Sequence, residues 1–359
     1  MRARPPAPCS FVPPHVLERL GRYQHVAHGA TTQALDLTAI QRTAVISTRL
    51  REQRVGTRAD VATLARAIGA PEPGKSARRV YDCRRGWEFD AHLARDEGAD
   101  PVGTPASVDL AYDHVGETRD WFAAVLERSG IDNLGSDIVV NANFGQDFGN
   151  AFWDGTRIVF GTGDGVVFSD FSASLDVAGH EMTHGVVQYT AGLEYQSQSG
   201  ALNEHFADVA GSLVEQRAQG LDAGTANWLI GDEIMAPDLY GEALRSMAHP
   251  GTAYDNPVLG KDPQPAHMDD YFAGPEDNQG VHINSGIPNR AFYLAAMEIG
   301  SEPAGRIWFA ALARMGPTAT FLDAARIVCE QARVAARDGV ASRQAAQAVR
   351  AAWRAVGVL

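Results

Sequence analysis

The segment His180-Glu181-Met182-Thr183-His184 holds two imidazoles and a carboxylate at a spacing that can do chemistry. On an α-helix, residues four apart differ by roughly 400° of rotation, so His180 and His184 stand one turn apart on one face and can share a cation. Glu181 projects beside them. A catalytic zinc takes three protein ligands and keeps one position for a water, whose proton it loosens; Glu181 is placed to take that proton. The third ligand must come from another element. Glu204, in the stretch GALNEHFAD, lies 20 positions beyond His184, enough for a turn and a second helix. Asp208 follows one helical turn later and can accept the free ring N–H of a metal-bound histidine, fixing its tautomer. Without the two histidines, Glu204 and Asp208 would read as a solvated acidic helix face. A purely structural zinc is disfavoured by ligand type, because such sites use four Cys or His ligands and leave no position open.

The surrounding pattern supplies elements to carry these groups. Helical periodicity runs over 16–20 and again over 37–68, and the breaker run 70–79, APEPGKSARR, reads as a linker. DLAYDHVGETRDWFAAVLERSG predicts an amphipathic helix ending at Gly130. Short strands are expected in IVVNANF, in the hairpin-like NAFWDGTRIVFGTGDG and in VVFSDF. Beyond Phe171 the spacing turns helical, over 176–190, 203–217, 285–299, 304–314, 321–336 and 342–356. The Pro-, Gly- and Asp-rich stretch 222–289 reads as a loop-bearing insert of the kind that carries function. With 359 residues, more than one compact core usually holds, this predicts an α+β protein of two lobes.

Composition limits the partners. A net charge of −13, from 31 Lys and Arg against 44 Asp and Glu, argues against nucleic acid or an anionic membrane surface. Cys9, Cys83 and Cys329 are odd in number and far apart, so they build no disulfide framework and no Cys-X-X-Cys metal site. Arg2 and Arg4 precede PPAPCSFVPP without an apolar run of signal-peptide length, and no later run is long enough to span a bilayer. The expectation is a soluble protein, cytoplasmic or exported by an unconventional route.

From about Val80 onward the chain resembles the thermolysin-like metallopeptidases. HEMTH and GALNEHFAD carry the resemblance together with NAFWDG (150–155), YTAGLEYQSQSGA (189–201), ALRSM (243–247) and DNQGVHINSGIPN (277–289). It implies a β-rich first lobe, a mostly helical second lobe and the HEMTH helix between them. His180, His184 and Glu204 would hold zinc, with Glu181 activating the water. Tyr195 and His282, the latter oriented by Asp277, would donate to the oxyanion that forms at the scissile carbonyl. Asn150 and the Ala151 backbone would bind extended peptide, and Arg245 would hold the carbonyl just beyond the cleaved bond. Phe168, Phe171, Val177, Ile230 and Leu244 would line an apolar pocket selecting bulky hydrophobic residues, with Phe171 narrowing or reshaping it. Asp176, Glu215, Asn227 and Asp232 fall where the family gathers calcium ligands, but Leu229 and Asn227 replace acids of richer members, so one calcium at most is expected.

The stretch CSFVPPHVLERL (9–20) resembles the short propeptide of protealysin-type precursors. That implies residues 1–75 as propeptide and linker covering the cleft, 76–190 as the β-rich lobe with the HEMTH helix, and 191–359 as the helical lobe. Its partners would be peptide or protein substrates and its own propeptide, on a monomer. Cys9 is either a zinc-blocking thiolate or a buried cysteine. Outside the aligned set, each apolar pocket residue reads as ordinary core, Arg245 as a surface ion pair and His282 as a core histidine. An inactive, cleft-bearing binding protein is the alternative; it predicts a missing base or oxyanion donor, yet Glu181, Tyr195 and His282 all stand.

Overall fold

Runs of β-branched and aromatic residues between turn signals become the sheet of the first lobe. The computed structural model describes residues 9–22, 25–28, 31–34, 36–53, 76–236 and 243–359. The strands are β1 (Cys9–Ser10), β2 (His25–His28), β3 (Thr31–Ala34), β4 (Arg78–Asp82), β5 (Leu93–Asp96), β6 (Ile138–Phe144), β7 (Ala151–Trp153) and β8 (Ile158–Gly161). Six of them form one sheet in the order β1-β7-β8-β6-β4-β5, with β6 parallel to both β4 and β8. The NAFWDGTRIVFG hairpin is borne out: β7 and β8 pair antiparallel, Phe152 opposite Val159. Its turn closes on Asp154, whose Oδ1 accepts from the backbone N–H groups of Thr156 and Arg157. The edge of β7 is covered by β1, with Cys9 opposite Trp153 and Ser10 opposite Phe152.

VVFSDF is not a strand. Asp164 Oδ1 accepts from the backbone N–H groups of Val166, Val167 and Phe168, folding the chain into a turn before a ladder can form. Phe168 makes one isolated bridge to Met235, and Phe171–Ala173 is a short 3-10 turn.

The helices are α1 (Pro14–Leu20), α2 (Leu37–Gln53), α3 (Ala106–Leu126), α4 (Leu175–Gln188), α5 (Ser197–Gln219), α6 (Glu276–Asn284), α7 (Gly286–Ile299), α8 (Ser301–Leu312), α9 (Phe321–Arg337) and α10 (Ala345–Ala355). The helix expected over 37–68 is described only to Gln53, and 70–75 of the expected linker lies outside the described residues; Arg78 already begins β4. The helix expected over 203–217 starts earlier and carries both Glu204 and Asp208. The α4 and α5 backbones nearly touch: a Cβ on Gly179 would lie 2.9 Å from Gly211 Cα, and one on Gly211 would lie 2.6 Å from the Asp176 carbonyl oxygen. That approach, which only glycine permits, sets the ligands of α4 against those of α5. A large buried cluster runs through both lobes, from Val80 and Phe160 to Trp308 and Trp353.

Arg78 ties the start of β4 to its neighbours. Its backbone N–H and Nε donate to Glu97 Oε2 at 2.8 and 2.7 Å, and Arg119 Nη1 donates to the same oxygen at 3.1 Å. These bonds, Arg78's foremost, lower the Glu97 carboxyl from 4.5 to about 2. A depressed carboxylate contributes stability above its unfolded value that is lost as pH falls through its folded one. Glu97→Gln is therefore expected to lower Tm by about 1–3 °C at neutral pH, the modest size following from its solvent exposure. In thermal melts the gap should close as the pH falls from about 4.5 towards 2. A gap unchanged by acid would refute the assignment.

Candidate active site

Helix α4 buries His180, Glu181 and His184 completely, and α5 does the same for Glu204 and Asp208. The side chains of His180, His184, Glu204 and Asp208 lie together. His180 Nδ1 donates to Asp208 Oδ1 at 2.9 Å and His184 Nδ1 donates to Asn203 Oδ1 at 2.9 Å. With both Nδ1 protons so engaged, the Nε2 lone pairs face one another at 3.0 Å. Glu204 Oε2, which has no hydrogen-bond partner, lies 3.4 Å from His180 Nε2, and Glu204 Oε1 lies 3.5 Å from His184 Nε2. Such a set is unfavourable unless a positive charge is shared among its members. Titration behaviour agrees. Burial opposes charging of His180, yet Asp208 and Glu204 outweigh it and raise its pKa to about 9; burial likewise opposes ionisation of Asp208, yet Arg245 and His180 hold it down to about 2. Nitrogen and carboxylate donors gathered in this way fit zinc.

Beside them, both oxygens of Glu181 lack a hydrogen-bond partner, and burial raises its carboxyl to about 8, opposed by His180. On the other wall Tyr195 donates its hydroxyl proton to Glu204 Oε1 and lies 3.2 Å from His282 Nε2. His282 is fixed by Asp277, whose Oδ1 accepts from the Nδ1–H at 2.5 Å and whose Oδ2 accepts from the His282 backbone N–H at 2.7 Å. Burial opposes charging of His282, but Asp277 and Glu204 raise its pKa. The backbone presenting this pair is unusual: Asp277, Asn278, Gln279 and Gly280 are left-handed, at φ 53°, 50°, 65° and 78°. Three non-glycine residues there carry strain of roughly 1–2 kcal/mol each, of the sort retained at functional sites.

An extended segment, residues 9–12, crosses these groups. The Phe11 backbone N–H donates to the Ala151 carbonyl at 3.0 Å, and the Val12 N–H donates to Asn150 Oδ1 at 2.8 Å. Arg245 Nη1 donates to the Phe11 carbonyl at 3.1 Å, while its Nε and Nη2 donate to Asp208. His282 Nε2 donates to the Ser10 carbonyl at 2.8 Å. Asn150 meets the segment through its side-chain amide; its backbone carbonyl is taken by Gly161 N–H. The Phe11 ring stands edge-on to His180 at 5.0 Å and 5.0 Å from the Arg245 guanidinium. A Cβ on Gly231, φ 75°, would lie 2.8 Å from that ring and 3.4 Å from Leu244. Ile230 pairs with Arg245 across strands β9 (Leu229–Ile230) and β10 (Arg245–Ser246), and Phe168, Phe171, Val177, Ile230 and Leu244 share one buried cluster with Phe11.

The four calcium candidates are not gathered into a comparable shell. Among the described residues, the groups of three His, Cys, Asp or Glu with ligand atoms within 4.8 Å of one another contain none of them. Asp176 instead accepts from Ser174 and from the Gly231 N–H at 2.6 Å, and Asn227 donates to Asp232 at 2.9 Å. Burial, then repulsion from Asp176 and Asp232, raises Glu215 to about 8.

The spacing of the histidines and carboxylates gives no role to Asn203 or to Asn289. Asn289 Nδ2 donates to Asp208 Oδ2 at 2.9 Å, and its Oδ1 accepts from His205, which in turn accepts from Trp308 at 2.9 Å. Their partners lie 81 to 103 positions away, so no local spacing marks them.

Donors that suit a cation, with extended backbone held across them, have the form of a metallopeptidase cleft. Comparison with known proteins gives the family. The model of the thermolysin metallopeptidase catalytic domain matches residues 75–188, and that of the alpha-helical domain matches 191–358. The chain is 42% identical over 318 residues to an extracellular metalloprotease of Pectobacterium carotovorum subsp. carotovorum, covering 86% of this chain and 85% of that one. It is 44% identical over 263 residues to protease PrtS of a Photorhabdus species, covering 71% of each. The precursor of protealysin, a metalloproteinase from Serratia proteamaculans, superposes with a TM-score of 0.83 at 38% identity, over 98% of this chain and all of that one. The chain thus belongs to the thermolysin metallopeptidase family and is a metalloendopeptidase, for which family membership implies zinc. Among the described residues no helix is long and apolar enough to cross a membrane.

Proposed function

We propose that this chain is the self-inhibited precursor of a zinc endopeptidase that cleaves before bulky hydrophobic residues. The observation that carries the reading is the passage of residues 9–12 across the histidine and glutamate cluster as an added strand on β7, with the buried Phe11 ring against His180, Arg245 and Gly231. Residues 1–75 then serve as propeptide and linker, 76–190 as the β-rich lobe with the HEMTH helix, and 191–359 as the helical lobe.

Zinc held by His180, His184 and Glu204 would supply a Lewis acid that makes water a nucleophile near neutral pH. The protein does the rest. Glu181 takes the proton of the attacking water and returns it to the leaving nitrogen. Tyr195 and His282 donate to the oxygen of the scissile carbonyl as charge builds on it, and Asp277 keeps the His282 ring aimed. Asn150, the Ala151 carbonyl and Arg245 fix the substrate backbone, while Asp208 holds both Arg245 and His180.

Phe11→Asp tests this. A carboxylate would have to be buried in the apolar pocket, so the segment should leave the cleft and full-length activity on an internally quenched peptide should rise at least about tenfold. The opened enzyme should prefer Phe or Leu over Asp just after the cleaved bond, and a zinc chelator should silence it. Unchanged activity would overturn the self-inhibition; indifference to the chelator would overturn the zinc mechanism.

A further inference from the structure

The strand in the cleft lies in the register of a substrate, which raises the question of why it is not cut. Arg245 holds the Phe11 carbonyl and His282 donates to the Ser10 carbonyl, so the Ser10–Phe11 bond occupies the place of a bond about to be hydrolysed. Something must exclude the attacking water. Cys9, one residue upstream, is fully buried and packs with Tyr195 and Val281. Its Sγ, a ring nitrogen of His184 and a carboxylate oxygen of Glu204 all lie within 4.8 Å of one another. Glu204 Oε2 and both Glu181 oxygens, buried alongside, have no hydrogen-bond partner. Independent of the sulfur, these orphaned oxygens mark a place that awaits a cation. The other two thiols lie elsewhere, Cys83 against Asn141 in a satellite cluster and Cys329 on α9.

We propose that the Cys9 thiolate is a fourth ligand to the metal in the precursor, taking the position the attacking water requires. The inference rests on the zinc reading of His180, His184 and Glu204 and adds a regulatory ligand to it. The exchange balances without electron transfer: the thiol releases its proton to solvent, its sulfur lone pair forms the bond to the cation, and water leaves. Thiolate is a strong zinc ligand and binds at about 2.3 Å. Withdrawal of the segment, or alkylation of the thiol, reopens the position.

The test uses the full-length chain loaded with cobalt(II) in place of zinc, with metal content measured alongside the absorption spectrum. One cobalt per chain is expected in the wild type and in Cys9→Ser, with a sulfur-to-cobalt charge-transfer band in the near ultraviolet in the wild type alone. Equal spectra at full cobalt occupancy would overturn the thiolate while leaving the metal site standing. Failure of both proteins to bind cobalt would overturn the site itself, and the thiolate with it. Zinc-edge X-ray absorption on the wild type needs no variant: one sulfur at about 2.3 Å is expected, and a shell of nitrogen and oxygen alone refutes the proposal.

Discussion

Glu181→Gln is expected to lower kcat/KM by on the order of 10²–10⁴, the contribution typical of a positioned general base. The substitution keeps the shape of the side chain and removes only its capacity to take a proton. Burial already raises the wild-type carboxyl to about 8, so a neutral amide should fold at least as well. Assayed in the Phe11→Asp background, where the cleft is open, the variant should hold one zinc per chain and melt no lower than its parent. Retention of more than about a tenth of the parent rate would remove Glu181 from the base role.

Asp208→Ala should act on stability and metal together. Asp208 is fully buried, and Arg245, His180 and Asn289 all donate to it. Deleting it strands the buried Arg245 guanidinium, a loss of about 3–5 kcal/mol for breaking a buried pair. It also frees the His180 ring, which should weaken zinc binding about 10- to 100-fold. Urea unfolding at saturating zinc reads the first effect, and competition against a chromogenic chelator reads the second. Asp208→Asn, which can still accept from His180, should lose less zinc affinity than Asp208→Ala. A loss below about 1 kcal/mol would mean that Arg245 finds another partner.

The metal shell was legible because its spacing is helical. His180 and His184 share a face, as do Glu204 and Asp208, and period alone places each pair. What it could not place is the frame that holds them. Asn289 reaches Asp208 from α7, and Trp308 on α8 braces it through His205, which lies on α5 beside Asp208; hydrogen bonds over such separations leave no periodic trace. The turn at Asp277–Gly280 was equally hidden, since only Gly280 favours the left-handed region and the other three residues adopt it under tertiary constraint. VVFSDF misled for a local reason: its apolar alternation promised a strand, but Asp164 had already claimed the N–H groups a ladder would use. The N-terminal resemblance singled out residues 9–20, but the register of residues 9–12 beside β7 emerged only from the hydrogen bonds of Phe11 and Val12 to Ala151, Asn150 and Arg245.

The added strand on β7 has a consequence in mass action. An inhibitor carried on the same chain competes at an effective concentration that neither dilution nor expression level changes, of order millimolar for a flexible tether. On the proposed self-inhibition, free peptides of ordinary affinity would not displace it, and the chain would stay silent at any abundance. One cut between the segment and the lobes lowers that local concentration to the bulk value by many orders of magnitude. Activation can therefore be triggered far from the cleft, without altering any atom of the site. On the same proposal, the freed segment would keep its affinity and become an ordinary competitive inhibitor, felt only where the enzyme is crowded enough for its own by-product to accumulate.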